Sequence, residues 1–170
     1  MNTKLVLHGT WLAVHKDANG NVLSEETIEN LVVDGGVNYM LNSALHGDTA
    51  ISPWYVIPFT SNNPVAAGNT YAVPGNTEAT GYTEATRREW VEGASTAKSV
   101  TNSLSPAVIT ASGPLTIYGF GIVGGGSAAS TKGDTAGGGT MLSAGLFDGG
   151  IFKTLAATET LTMTYTLSVA

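Results

Sequence analysis

The sequence predicts an all-β fold, a two-sheet antiparallel sandwich of jelly-roll-like character with one short helix near residues 36–46. Three observations carry that prediction. Glu159 to Val169 alternates with period two: Leu161, Met163, Tyr165, Leu167 and Val169 face one way, and Thr160, Thr162, Thr164, Thr166 and Ser168 the other. That is the pattern of a half-buried antiparallel strand. Further β-branched and aromatic runs are separated by Gly, Pro, Asn and Ser, giving about seven or eight strands, as sandwiches and jelly rolls require. Only one stretch has helical periodicity. All 170 residues read as a single domain, because the length suits one core and no internal repeat is present.

The first element is a β-rich segment, Lys4 to His15, which leads through Asn19-Gly20 to Val22-Leu23 and Ile28 to Val33. Asn-Gly between apolar runs predicts a hairpin with a type I′ turn. Asp17, Asn19 and Asn21 do not make a calcium loop. Gly20 stands at the fourth position rather than the sixth, and the twelfth is Ile28 rather than Glu. Asp34-Gly35-Gly36 breaks the strand. Val37, Met40, Leu41, Ala44 and Leu45 then form one apolar helical stripe that His46-Gly47 closes.

Trp54 to Phe59 is the next strand, and Pro58 places it at an edge, a strand end or a bulge. Residues 60–83 lack periodicity, and a loop of that length tends to be functional or ordered by a neighbour. Arg87 to Glu92 reads as a strand with Trp90 as its buried anchor. Ala107 to Ala111, Leu115 to Val123 and Met141 to Phe147 follow as strands. The Gly/Ala/Ser/Thr stretch 124–139 reads as a mobile or partner-ordered loop.

Composition narrows the function. Charged residues are 12 %, against roughly 25 % in ordinary soluble domains, and the net charge is −6. So acidic a surface argues against nucleic acid and against anionic membranes, both of which are held by Lys and Arg. No segment has the pattern of a signal peptide or the ~20 apolar residues of a membrane span, so a cytosolic or intracellularly assembled protein is expected. With no Cys there is no disulfide, thiolate nucleophile or Cys-ligated metal.

No motif points to catalysis, a cofactor or a metal, and none of the three is expected. Gly119-Phe120-Gly121-Ile122-Val123-Gly124 matches the dinucleotide fingerprint in letters only. It lies inside an apolar run with no helix behind it, where small residues serve strand bending or close packing. His8 and His15 are seven apart, hence on opposite faces of a strand, and His46 closes the helix. There is no Gly-x-Ser-x-Gly elbow. A small hydrolase that assembles a His and a carboxylate in space is the rival reading. Glu25, Glu26, Glu84, Glu89, Glu92 and Glu159 have solvated or cross-strand settings, with Arg87 and Arg88 as partners. Trp11, Trp54, Trp90, Tyr55, Tyr82 and Tyr118 read as core or interface anchors rather than stacking platforms.

One order of segments is more specific than any of these. Asn30-Leu31-Val32-Val33-Asp34-Gly35-Gly36-Val37-Asn38-Tyr39-Met40-Leu41 leads to Trp54-Tyr55-Val56. Gly81-Tyr82-Thr83-Glu84-Ala85-Thr86-Arg87-Arg88-Glu89-Trp90 and Thr101-Asn102-Ser103 follow. Thr116-Ile117-Tyr118-Gly119-Phe120 and a closing Thr162-Met163-Thr164-Tyr165-Thr166 complete the order. It resembles small tailed-bacteriophage virion structural proteins of the capsid decoration (cement) type, departing from them at Ile57-Pro58 and over 60–83. The resemblance implies a virion protein, assembled in the host cytoplasm, without catalytic residues. Its partners would be the major capsid protein lattice and copies of itself as a dimer or trimer. A tail, neck or fibre component is the alternative within the same resemblance. Exposed aromatics in a concave groove would favour that alternative, and buried aromatics the decoration role.

Overall fold

The computed structural model describes residues 6–170, so Lys4 and Leu5 of the first expected strand lie outside the described residues. The chain is an all-β antiparallel sandwich with one short helical segment. Its strands are β1 (Leu7–Lys16), β2 (Val22–Val32), β3 (Trp54–Phe59), β4 (Arg88–Trp90), β5 (Ser99–Thr101) and β6 (Ala107–Thr110). They continue as β7 (Leu115–Ile117), β8 (Gly119–Gly124), β9 (Thr140–Leu146), β10 (Lys153–Leu155) and β11 (Thr160–Val169). Nine belong to one curled sheet in the order β4-β3-β8-β9-β2-β1-β11-β5, with β6 also on β11, while β7 and β10 pair separately.

The curl brings the sheet back over itself. β2 meets β9 through only two residue pairs, Leu31 with Ala144 and Val32 with Ser143, and the two halves fold together about that narrow joint. Between them Trp11 of β1 stacks on Tyr165 of β11 at 4.7 Å and on Phe120 of β8 at 5.1 Å. Trp90 of β4 meets Tyr165 edge-on at 5.5 Å, and its indole N–H donates to the Tyr165 carbonyl. The period-two prediction for the last strand holds: Leu161, Met163, Tyr165 and Leu167 are buried, and the threonines line the outer face.

Several elements differ from expectation for local reasons. The first turn is not type I′, since of its residues only Gly20 has positive φ, at 86°. The Gly20 N–H donates to the Asp17 carbonyl, and the Asp17 carboxylate accepts the N–H groups of Asn19 and Asn21 at 2.8 Å each. That is a type I turn followed by a left-handed glycine, stabilised by an Asx contact. β2 is one continuous strand rather than two pieces. The expected strand 115–123 is split at Tyr118, whose N–H donates to Phe59 and whose carbonyl accepts from Phe147, so its halves enter different sheets. Pro58 is at a strand end: beyond the β4 pairing its carbonyl accepts from Ala79, and its missing N–H is not needed.

The helix starts earlier than expected. α1 (Asp34–Leu41) takes in Asp34-Gly35-Gly36, and a single π turn, Asn42–His46, carries it to Gly47 in the left-handed conformation. Gly36 is buried, and a Cβ there would strike the Leu142 backbone, so glycine lets the helix lie against β9 rather than breaking it.

The loops 60–83 and 124–139 pack against this chain itself. β8 is buried at every residue, and β3 and β9 are nearly so, which leaves an apolar outer face on that half of the sheet. Tyr71 and Ala129 from the loops pack over Ile57, Phe59, Val123, Met141 and Ala144 there, as a third layer.

Candidate functional site

Arg87 joins the two loops. Expected on a solvated strand face, it instead precedes β4 and is 3 % exposed. Its Nε and Nη2 donate to the Glu78 carboxylate, with the shortest contact 2.6 Å. Nη1 donates to Tyr71 Oη and the Ala129 carbonyl, and Nη2 also to the Asp134 carbonyl. Glu78 in turn accepts the Gly133 N–H, and Asp134 accepts Tyr71 O–H at 2.8 Å. Burial of Tyr71, helped by the Asp134 contact, pushes its phenol up, while the Tyr71 hydrogen bond draws the Asp134 carboxyl down. Every donor of this cluster points to a fixed acceptor of the same chain. It is a clasp with structural work, and a polar depression of about 330 Å³ lies beside it, lined by Arg87, Arg88, Glu89 and Ser130 among others.

Of the histidines, the structure brings one to a carboxylate. His15 Nε2 lies 2.8 Å from Glu159 Oε2 at the end of β1 and β11. Glu159 also accepts the Ala156 N–H, and that bond, followed by the His15 contact, holds its carboxyl below the usual range. Ser24 faces His15 across the β1–β2 ladder, its hydroxyl buried without a partner. His8 is exposed on the opposite face and His46 ends the π turn, so the three do not converge. Glu26 pairs with Lys153 at 2.8 Å, and Glu84 accepts from the Thr110 N–H and hydroxyl. Among the described residues no three His, Asp or Glu side chains gather as a metal-holding group.

The glycines of the 119–124 segment serve packing. A Cβ at Gly119 would meet the Gly145 and Leu146 backbone, one at Gly121 would press on Phe59 and Ile57, and one at Gly124 on Trp54. Trp11, Trp54, Trp90 and Tyr82 are all buried, whereas Tyr55 and Tyr118 are partly exposed.

Two adjoining depressions of the surface are apolar. A groove of about 510 Å³ runs between α1 and the adjoining ends of β1 and β2, lined by Leu7, Leu31, Val32, Val37, Met40 and Leu41 among others. A shallower depression of about 270 Å³ continues it over Leu7 and Met40 toward Val100, Leu167 and Val169. The expected helical stripe is only half used. Leu41 at the end of α1 is 52 % exposed, and Leu45, in the wide π turn that takes the chain off its 3.6 period, is 82 % exposed, with Leu31 40 % exposed across the groove. Large apolar side chains concentrated around one groove mark interaction surface. The sequence signal was the apolar stripe itself.

The chain matches no protein-family model, and no curated protein is similar to it in sequence.

Proposed function

We propose that this chain is a bacteriophage virion structural protein of the capsid decoration type, which binds the major capsid protein lattice and stabilises the head. The observation that carries the reading is the groove beside α1, lined by Leu31 and Leu41 and followed by the exposed Leu45 in the next turn, on a body with few charges to repel a neighbour. The segment order that resembles phage virion proteins supplies the class. The burial of Trp11, Trp54, Trp90 and Tyr82 supports a decoration role over a sugar-stacking fibre tip.

The mechanism is mass action. A protein that binds only the assembled lattice stabilises it by RT ln(1 + [L]/Kd), roughly 2.7 kcal/mol per site at a hundredfold excess over Kd. Sedimentation of the purified chain with particles assembled without it tests the reading. Saturable uptake at a fixed ratio to capsid protein is the expected result. Uptake at a few copies per particle would favour a tail or neck component, and none at all would reject both virion roles.

A further inference from the structure

We propose that the open edge of β2 is a docking edge for an extended segment of a partner protein that carries basic residues four positions apart. The inference deepens the assembly reading and rests on it.

The backbone directions of β2 follow from two independent observations. Val6 and Ala170 exchange hydrogen bonds at 3.2 and 3.0 Å on the β11 side of β1, so alternate residues Gly9, Trp11, Ala13 and His15 turn their amides toward β2. Opposite them stand Asn30, Ile28, Glu26 and Ser24. From the other end, the Val33 N–H donates to Leu142 of β9 at 3.2 Å, which points the odd-numbered residues of β2 away from β1. Both give the same phase. β9 covers that edge only at Leu31 and Val32, and Gly145 lies against the Glu29 carbonyl. Farther along, among the described residues, nothing bonds the outward N–H and C=O of Glu25 and Thr27. The edge then runs on to Leu23 and Val22, which are more than half exposed.

Unpaired ladder groups of this kind accept an added strand. Charge selects which. Glu25 and Glu29 lie on the outer face, opposite Val14 and Thr10, and neither has an ion-pair partner among the described residues. A second copy of β2 pairing antiparallel about Thr27 would set Glu25 against Glu29 twice. Like charges directly opposite are destabilising, so self-pairing is disfavoured. An incoming strand with Lys or Arg at positions j and j+4 would instead place one cation against each carboxylate, with a small or β-branched residue facing Thr27.

The test uses the full chain and particles assembled without it. Amide exchange, resolved by residue, should be fast at Glu25 and Thr27 and slow at Glu26 and Ile28 in the free protein. Binding should then protect Glu25 and Thr27 by tenfold or more. Thr27→Pro removes an N–H that β1 does not use and blocks strand addition. E25K/E29K leaves the edge open and reverses its charge. Each should weaken particle binding at least tenfold. If Thr27→Pro fails to fold, the charge reversal and the exchange pattern still decide. Variants that bind like the wild type, or Glu25 and Thr27 amides that stay unprotected, overturn the edge while leaving the assembly reading intact. A wild-type chain that does not bind particles overturns both.

Discussion

Replacing Arg87 by Ala removes the clasp between the two long loops, and its cost can be worked from the contacts. The guanidinium and the Glu78 carboxylate have side-chain exposures of 2 % and 8 %, so neither is freely solvated. Removing one partner of such a buried pair costs about 3–5 kcal/mol, because the remaining charge is left uncompensated. The Ala129 and Asp134 carbonyls also lose their Arg87 donor. Those losses overlap with the first and are not added to it. In a protein of this size each kcal/mol moves Tm by about 2–4 °C, so R87A should lower Tm by about 6–20 °C. Calorimetry and urea unfolding read the global effect. Amide exchange across 60–83 and 124–139 reads where it falls, and protection should drop most in those loops. R87K should recover only part of the loss, since an ammonium cannot reach Glu78, Tyr71 and two carbonyls from one planar fork. A double-mutant cycle with Glu78→Ala should return a coupling of about 2 kcal/mol or more. A stability loss under about 1 kcal/mol for R87A, or unchanged loop protection, would refute the argument that the pair holds the third layer in place.

Other perturbations follow from single contacts. Gly36→Ala should cost about 1–3 kcal/mol by forcing α1 off the Leu142 backbone, measured by urea unfolding. The Glu159 carboxyl is held below its unfolded value, so its contribution is present above that value and is lost as pH falls through the folded pKa. Glu159→Gln should therefore flatten the acid limb of a Tm-against-pH curve. Leu41→Ser and Leu45→Ser should leave stability within about 0.5 kcal/mol, since both side chains are exposed, while weakening binding to particles.

The strands that fill the core were legible because their pattern is local. β11 declares its buried face by alternation, and β3 and β8 by aromatic and β-branched runs. The same runs held a further signal. Continuous apolar stretches such as Gly119 to Gly124 imply a sheet covered on both faces, hence a layer over the outer side, which is where the long loops lie. What escaped was long-range. Arg87 is bonded to residues 9 to 47 positions away, so no window of sequence shows it as buried. The three-residue strands β5 and β10 are too short for a period. Asn102, buried at the end of β5, takes over strand pairing with its side chain, accepting from the Tyr165 N–H and donating to the Met163 carbonyl. The placement of Leu45 depended on one π turn that periodicity does not foresee. The candidate surface was thus visible as an apolar stripe, but not which of its residues stay exposed.

Imaging purified particles with and without this chain tests the central claim most directly. The account predicts regular density over the capsid lattice, missing from particles that lack the chain, and heads that burst more readily without it. Density confined to the tail or its fibres, or none attributable to the chain, would contradict it.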